Sequence, residues 1–192
     1  MGEKKGSGMV GNGDYMLAAL KRYFGFDSFR PGQEEAVGAV ISGRDVMAVM
    51  PTGGGKSLCY QIPALLREGV TIVVSPLIAL MADQVAGLEE LGIPAAYLNS
   101  ALSWPQQRDV QRQLAAGNIK LLYVAPERLV MPGTVELLKR IKVGLFAIDE
   151  AHCVSMSTER FRCCASSGPR CLVWHSRPRQ TSTRAERSLR SF

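Results

Sequence analysis

The sequence predicts an α/β fold: a doubly wound parallel sheet, incomplete, followed by an irregular C-terminal tail. Short apolar runs alternate about five times with longer segments of helical spacing. The apolar runs contain no regular polar alternation, which is typical of strands covered by helices on both faces. The first run stops at three consecutive glycines, Gly53 to Gly55, and a helical pattern resumes directly after them. A buried strand that enters a glycine turn and continues as a helix belongs to this fold class.

Each element follows from local periodicity and its end signals. Apolar residues at intervals of three and four predict helices, and Pro31 stands where the second helix starts. The predicted helices cover residues 14–24, 31–40, 56–67, 77–91, 105–116 and 132–141. The predicted strands cover residues 45–50, 70–74, 95–98, 119–124 and 143–148. Pro63 is expected to end or kink the third helix, because proline lacks the N–H that a helix interior needs.

Charge divides the chain into unlike parts. Among 192 residues, 46% are hydrophobic and 21% charged, which excludes a disordered or fibrous protein. Residues 1–155 carry 15 basic and 15 acidic side chains, so the net charge of +6 lies entirely in the last 37 residues. We expect a flexible N-terminus over 1–13, a folded domain over 14–155, and an Arg/Ser-rich tail over 156–192 that is disordered or out of frame.

The sequence shows neither a signal peptide nor a membrane-spanning segment. The first 13 residues lack the apolar core of a signal peptide. The longest apolar stretch, Val70 to Ala82, is interrupted by Ser75-Pro76 and is too short to span a bilayer. Five cysteines without paired spacing fit reduced thiols. A cytoplasmic protein is therefore expected.

The glycine turn has the composition of a phosphate-binding loop. Glycines let the backbone point successive N–H groups inward, and with the following helix N-terminus these donors form a nest for anions. Lys56 is expected on the β- and γ-phosphates, and the Ser57 hydroxyl on Mg²⁺. The general pattern asks for glycine at position 50, where this chain has Met50. The predicted loop residues are Thr52, Gly53, Gly54, Gly55, Lys56 and Ser57.

Two carboxylates follow the last predicted strand. In open α/β sheets ligands bind at the carboxyl ends of strands, where Asp149 and Glu150 lie. Asp149 is placed to hold Mg²⁺, and Glu150 to orient or deprotonate an attacking water. Paired carboxylates at a strand end are often only solvated charges. Their place in the same sheet as the Lys56 loop favours the catalytic interpretation.

With these motifs the sequence resembles the first RecA-like domain, a P-loop NTPase domain, of superfamily 2 DNA helicases of the RecQ family. The resemblance rests on five motifs in family order over residues 15–155, about three quarters of the chain. They are carried by Phe24–Phe26 with Phe29–Gln33, Pro51–Ser57, Ser75–Met81 with Asp83–Val85, Ala125–Leu129, and Asp149–Ser155. The Phe-Arg-Pro-Gly-Gln block together with Asp-Glu-Ala-His-Cys-Val-Ser distinguishes RecQ from other Asp-Glu-Ala-His helicases.

The resemblance implies roles that spacing alone does not assign. Gln33 resembles the family's adenine-reading residue, with Tyr23 and Arg30 packed beside the base, although Arg30 could be an ordinary surface cation. His152 resembles the residue that couples the ATP and DNA sites. With Lys56, Asp149 and Glu150 it completes the implied catalytic set.

The same resemblance implies nucleic-acid contacts. Segments that touch the phosphate backbone of single-stranded DNA are implied at Ser75, Pro76, Leu77, Asn99 and Ser100. Hydroxyls, amides and backbone N–H groups suit such contacts, because they position a strand without reading its sequence. For any one of these serines or asparagines an ordinary turn role is equally open.

For the whole family the resemblance implies ATP-dependent translocation and unwinding in DNA repair and recombination. It implies ATP and Mg²⁺ as cofactors, single-stranded and forked DNA as partners, and a place at the nucleoid or in the nucleus. After Ser155 the pattern departs: only Phe161-Arg162 agrees with the family's aromatic-rich loop, and the second RecA-like domain is missing. We therefore expect this chain to bind nucleotide with little turnover and not to unwind DNA alone.

Two alternatives and a genetic explanation remain. The chain could be a non-catalytic nucleotide-binding fragment or gene relic, or its Arg-rich tail could be a basic nucleic-acid module. We expect residues 156–192 to be largely a frameshifted reading of the helicase gene. In the shifted frame the codons of Trp174 to Gln180 can read Ala-Leu-Thr-Ala-Thr-Ala, the family's next motif. The nucleotide sequence of the gene decides this point.

Overall fold

The computed structural model describes residues 12–51, 53–149 and 170–177. Its helices are α1 (Asn12–Phe24), α2 (Gln33–Ile41), α3 (Leu58–Leu66), α4 (Ile78–Glu90), α5 (Trp104–Ala115), α6 (Pro126–Leu129) and α7 (Pro132–Lys139). Its strands are β1 (Val46–Pro51), β2 (Val70–Val74), β3 (Ala95–Leu98), β4 (Leu121–Val124), β5 (Val143–Ile148) and β6 (Arg170–Arg177).

The strands form one parallel sheet in the order β1-β6-β5-β2-β4-β3. Thr71 lies opposite Leu121 on one side of β2 and Leu145 on the other. Because all strands run in the same direction, their carboxyl ends lie at one edge of the sheet. The loops that leave β1, β2, β3, β4 and β5 therefore start from that edge.

Helices cover both faces of this sheet, as the apolar strands predict. Helices α2, α3 and α4 pack on one face around a core that includes Val40, Tyr60 and Leu88. Helices α5, α6 and α7 pack on the other face through Leu114, Leu129 and Leu138. Helix α1 packs on α2 and α3 through a third cluster, which includes Met16, Leu20, Val37 and Ile62. The predicted doubly wound α/β fold is confirmed.

The predicted elements agree with the structure to within about two residues, apart from three differences. The short helix α6 (Pro126–Leu129) was not predicted, since four residues show no periodicity. Helix α3 does not end at Pro63 but continues to Leu66, and the Pro63 carbonyl accepts a hydrogen bond from the Arg67 N–H at 2.9 Å. The third difference is β6.

Strand β6 corrects the expectation of an irregular tail over eight of its residues. It lies between β1 and β5, with Val46 opposite Leu172 and Ile148 opposite Val173. The run Cys-Leu-Val-Trp at 171–174 has strand-forming residues but is too short to give a periodic signal. Its position depends on the edges that β1 and β5 offer, because hydrogen-bond partners on both sides stabilise a strand whose sequence is otherwise weak. The other residues of the predicted tail, 156–169 and 178–192, lie outside the described residues.

Strand β1 is an edge of the sheet and carries exposed apolar side chains. Val46, Ala48 and Met50 face the core below α2 and α3, whereas Met47 and Val49 on the opposite face are 71% and 51% exposed. Met47 and Val49 thus form an exposed apolar patch beside a terminal strand of the described sheet. We expect such a surface to promote association of the chain with itself.

None of the described helices is both long enough and apolar enough to cross a bilayer. The expected flexible N-terminus lies outside the described residues except for Asn12 and Gly13, which are the first residues of α1. Cys59, the cysteine within the described core, is fully buried. Burial raises its pKa to about 12, so the thiol is inert at neutral pH.

Candidate functional site

The carboxyl edge of the sheet gathers most of the predicted site residues. The glycine loop leaves β1 and Asp149 follows β5, two strand positions away, which is about 10 Å at normal strand spacing. Ser75 follows β2, the neighbour of β5, and Asn99 follows β3 at the far end of the sheet. The residues predicted to bind the nucleotide and the residues predicted to contact single-stranded DNA therefore occupy adjacent parts of one edge of the sheet.

The loop after β1 has the backbone conformation of an anion nest. Gly53 and Gly55 have φ angles of +79° and +72°, which side-chain-bearing residues rarely adopt. The N–H groups of Gly53, Gly54 and Gly55 donate no hydrogen bond to any other described residue. These donors, and the half-buried Lys56 beside them, stand at the start of α3. Such a set of backbone N–H groups at a helix N-terminus binds phosphate.

Gln33 holds this loop in place. It is 1% exposed, and its amide nitrogen donates to the carbonyls of Gly54 at 3.2 Å and Gly55 at 2.9 Å. Its amide oxygen accepts the Arg30 N–H at 2.8 Å. Both ends of the amide are thus occupied, so pairing with adenine requires these bonds to be exchanged. In the conformation described, Gln33 is an anchor of the phosphate loop rather than an open base reader.

Arg30 is a second residue that holds the glycine loop, whereas Tyr23 packs against the hydrophobic core. The Arg30 guanidinium donates to the Gly53 carbonyl at 2.7 Å. Tyr23 is half-buried at the end of α1, where its ring packs on the core and receives the Arg22 guanidinium at 5.3 Å from its centroid. Stacking of either side chain on a base stays a prediction.

Met50, which departs from the general phosphate-loop pattern, has a packing role. It is 8% exposed and belongs to the core cluster between the sheet and α2–α4. A Cβ built on Gly32 would lie 3.5 Å from the Met50 methyl group, so the two residues are already in close approach. The methionine fills a volume that glycine would leave empty.

A buried tyrosine pair below the loop was not predicted from the sequence. The hydroxyls of Tyr60 on α3 and Tyr123 on β4 lie 3.4 Å apart, with the rings edge to face at 6.4 Å between centroids. The Gln61 amide donates to the Tyr123 hydroxyl at 3.5 Å. The Tyr60 backbone N–H donates to the Ser57 carbonyl at 3.2 Å. A tyrosine three residues after the loop serine, on the inner face of the following helix, is the sequence signal that could have indicated this contact.

The buried tyrosine pair is influenced electrostatically by Asp149, one of the two predicted Mg²⁺ ligands. Burial raises the pKa of Tyr60 well above its ordinary value, and Tyr123 and the Asp149 carboxylate raise it further. Burial likewise raises the pKa of Tyr123, and Asp149 adds to the effect. Both tyrosines are neutral at physiological pH.

Ser75 and Asn99 shape their own turns. Both are buried, at 3% and 2% exposure. The Ser75 hydroxyl accepts the Leu77 N–H at 3.4 Å, and the Asn99 side-chain oxygen accepts the Ala101 N–H at 3.0 Å. The turn role that the sequence left open is therefore the one seen here. The side chains of Leu77, 50% exposed, and Ser100 are the accessible ones in these two segments, and Pro76 is half-buried.

Three predicted site residues, Thr52, Glu150 and His152, lie outside the described residues. Of the others, the structure brings together Arg30, Gln33 and the loop from Gly53 to Gly55 by direct hydrogen bonds. Asp149 is fixed by its own N–H, which donates to the Val74 carbonyl at 2.9 Å. That bond ties the end of β5 to the end of β2, where the Ser75 segment begins.

Replacing Tyr60 with phenylalanine is expected to destabilise the fold by about 1–2 kcal/mol, because the Tyr123 hydroxyl loses its closest partner while it stays buried. Urea unfolding measures the change. Tyr15→Phe on α1, where the side chain is half-buried, is the matched control and should change stability by less than about 0.5 kcal/mol. Equal unfolding midpoints for the two variants would contradict a hydroxyl network.

The fold and the motifs agree with a family comparison. The family model described as DEAD/DEAH box helicase matches residues 30–172 of this chain. The chain belongs to the DEAD/DEAH box helicase family. The match begins at Arg30, which anchors the loop, includes β1 to β5 and ends within β6.

Curated relatives of this helicase-family chain carry RecQ names. It is 51% identical over 146 residues to the ATP-dependent DNA helicase RecQ of Haemophilus influenzae, covering 76% of this chain and 24% of that protein. It is 53% identical over 144 residues to the ATP-dependent DNA helicase RecQ of Bacillus subtilis, covering 74% and 24%. The chain thus spans about a quarter of the length of these relatives.

Solved structures share the fold of this helicase-family domain. The DUF1998 helicase MrfA bound to DNA and AMPPNP matches with a TM-score of 0.70 and 21% sequence identity, covering 88% of this chain and 27% of that one. A second crystal structure of the DUF1998 helicase MrfA matches with a TM-score of 0.65 at 23% identity, covering 84% of this chain and 28% of that one. At these identities the likeness concerns the fold.

Proposed function

We propose that this chain is the ATP-binding domain of a RecQ-like DNA helicase, and that it binds Mg-ATP in the loop between β1 and α3. The observation that carries the proposal is the set of N–H groups of Gly53, Gly54 and Gly55, which donate to no other described residue and lie next to Lys56 just before α3. Phosphate oxygens are the ligands such donors accept. The names of the RecQ relatives support the choice of ATP over other phosphate compounds.

Magnesium would be held by the Ser57 hydroxyl and the Asp149 carboxylate. Ser57 follows the glycine loop after β1 and Asp149 follows β5, so both oxygen donors lie at the carboxyl edge of the sheet. Hard oxygen donors of this kind, together with phosphate oxygens, are the ligands Mg²⁺ prefers. When bound, the ion would neutralise charge on the β- and γ-phosphates.

This chain's own residues would then divide the work of the site. The loop N–H groups and Lys56 bind and orient the phosphates, and Gln33 with Arg30 keeps the loop carbonyls turned away from them. Glu150 is proposed to orient the attacking water, and His152 to couple the nucleotide site to DNA. Tyr23 and Arg30 are proposed to pack beside the base. Thr52 completes the loop.

Single-stranded or forked DNA is proposed to bind at the neighbouring part of the carboxyl edge, along the turns after β2 and β3. Ser75 and Asn99 would act there by shaping the backbone, since their side chains are occupied. Pro76, Leu77 and Ser100 would lie against the strand. The relatives' DNA helicase names and the adjacency of β5 and β2 support this arrangement. Unwinding, translocation and a role in repair or recombination are proposed for the full-length protein.

Lys56→Ala is expected to weaken Mg-ATP binding at least about tenfold. A charge-assisted bond of the type Lys56 would make contributes roughly 1.5–3 kcal/mol. Isothermal titration with Mg-ATP measures the effect on the full chain. Lys139→Ala on α7 removes the same charge from a side chain that is 65% exposed, and it should bind like the wild type. Equal affinity of Lys56→Ala and wild type would end the proposal of a phosphate loop.

Measuring ATP hydrolysis distinguishes an active ATPase domain from the alternative, a non-catalytic nucleotide-binding fragment. ATP hydrolysis stimulated by single-stranded DNA, and abolished in Glu150→Gln, indicates an active ATPase domain. Binding of Mg-ATP without such hydrolysis indicates the fragment. Binding of DNA that does not depend on nucleotide and weakens steeply with salt would instead favour a basic module in the Arg-rich tail.

A further inference from the structure

Helix α5 carries an exposed aromatic side chain next to two arginines. Trp104, the first residue of α5, is 78% exposed, the highest value among the large hydrophobic side chains the structure describes. Arg108 and Arg112 follow at intervals of four, so the three side chains lie on one strip of the helix about 12 Å long. We call these three residues the α5 strip. They line a shallow depression of about 490 Å³ together with Pro105 and Asp109.

The α5 strip lies next to the turns that are proposed to contact single-stranded DNA. Helix α5 starts six residues after β3 ends, and the turn between them contains Asn99 and Ser100. Trp104 therefore stands at the carboxyl edge of the sheet, and the arginines lead away from that edge. The helix itself is firmly started, because Ser103 and Gln106 form a capping box.

Of the two arginines in the α5 strip, Arg108 is the one available to bind a partner. Asp109 pairs with Arg112, and the Gln113 amide donates to the other Asp109 oxygen at 2.6 Å. The Arg108 guanidinium makes no hydrogen bond or ion pair with another residue in the described ranges. An exposed indole beside an unpaired guanidinium fits a partner that offers a flat ring and a phosphate in succession. A nucleic-acid strand has this chemistry, since bases stack on aromatic side chains while arginine holds the backbone.

We propose that the α5 strip is a further contact site for single-stranded DNA, in which Trp104 stacks on a base and Arg108 binds a backbone phosphate. This inference rests on the proposed function, which brings a DNA strand to the turns after β2 and β3. It extends the path of that strand beyond Ser100, onto the outer side of α5. The indole is the stacking platform, and Arg112 stays with Asp109.

The test is binding of a fluorescein-labelled 20-nucleotide oligo-dT to the full chain, followed by fluorescence anisotropy at low ionic strength. Trp104→Ala should weaken binding at least about fivefold, as base–aromatic stacking usually does. Trp104→Phe, which keeps a stacking ring, should recover most of the loss. Arg108→Ala should lower the slope of log affinity against log salt by about 0.7.

Arg140→Ala is the matched control. Arg140 is equally exposed but follows α7 just before β5 begins, at the opposite edge of the sheet, and its removal should change neither affinity nor slope. Equal binding by wild type and Trp104→Ala overturns the proposal, as does an effect of Arg140→Ala as large as that of Arg108→Ala.

A Mg-ATP titration on each variant separates this inference from the proposed function. The α5 strip is far from the loop after β1, so every variant should bind Mg-ATP like the wild type. A chain that binds Mg-ATP but no oligonucleotide overturns the strip and leaves the nucleotide site standing. A chain that binds the oligonucleotide through Trp104 but no Mg-ATP supports the strip and overturns the nucleotide site.

Discussion

Replacing Gly144 with alanine is expected to destabilise the fold by about 3 kcal/mol or more. Gly144 is the second residue of β5, and a Cβ added there would lie 2.2 Å from the Glu68 carbonyl oxygen. The neighbouring Gly69, with φ of +87°, is held as closely, since its Cβ would meet the Lys142 carbonyl at 2.5 Å. The obstacle is backbone on both sides, so no side chain can rotate away. Overpacking of this kind forces β2 and β5 apart.

Urea unfolding of the full chain measures the loss. Gly87→Ala is the matched control, because Gly87 lies in α4 with nothing within 4 Å of the added Cβ. There the same substitution should stabilise the fold by roughly 0.5–1 kcal/mol, as alanine favours a helix interior over glycine. The two variants should therefore change stability in opposite directions. A Gly144→Ala variant as stable as the wild type would mean that the start of β5 does not pack against the segment leading into β2 as described.

Gly55→Ala is expected to disrupt the phosphate loop and to weaken Mg-ATP binding at least about tenfold. Its φ of +72° disfavours a side chain, and the added Cβ would lie 2.6 Å from the Gln33 amide nitrogen. Gln33 is fully buried, so its displacement breaks the bonds to the Gly54 and Gly55 carbonyls. A buried amide left without partners costs roughly 1–3 kcal/mol in addition to the backbone strain.

Gly53→Ala serves as the control for backbone strain alone. Its φ of +79° is nearly the same, but nothing lies within 4 Å of the added Cβ. Isothermal titration and urea unfolding should both show a smaller loss than for Gly55→Ala. In a Gln33→Ala background the penalty of Gly55→Ala should shrink toward that of Gly53→Ala, because the clash partner is gone. A penalty that does not change in that background would remove Gln33 from the role of loop anchor.

Much of the fold follows from local patterns in the chain. Helices α1 to α5 and α7 and strands β1 to β5 were predicted because each is long or apolar enough to show its own periodicity. Short α6 and strand β6 were missed for the opposite reason. Strand β6 is held by hydrogen-bonded pairing with β1 on one side and β5 on the other. These two strands flank β6 only once the sheet has assembled, so no local pattern predicts it.

The site divides in the same way. The chain by itself determined the glycine loop, Lys56, Ser57 and Asp149, because their chemistry is a property of short segments and because parallel strands bring all loops to one edge. It also indicated the turn residues Ser75 and Asn99 without deciding how they act. Recognition of adenine by Gln33 stays a prediction. Only the tertiary structure showed that Gln33 anchors the glycine loop and that Tyr60 packs against Tyr123. These contacts join residues 21 to 63 positions apart, and packing rather than local pattern sets such distances.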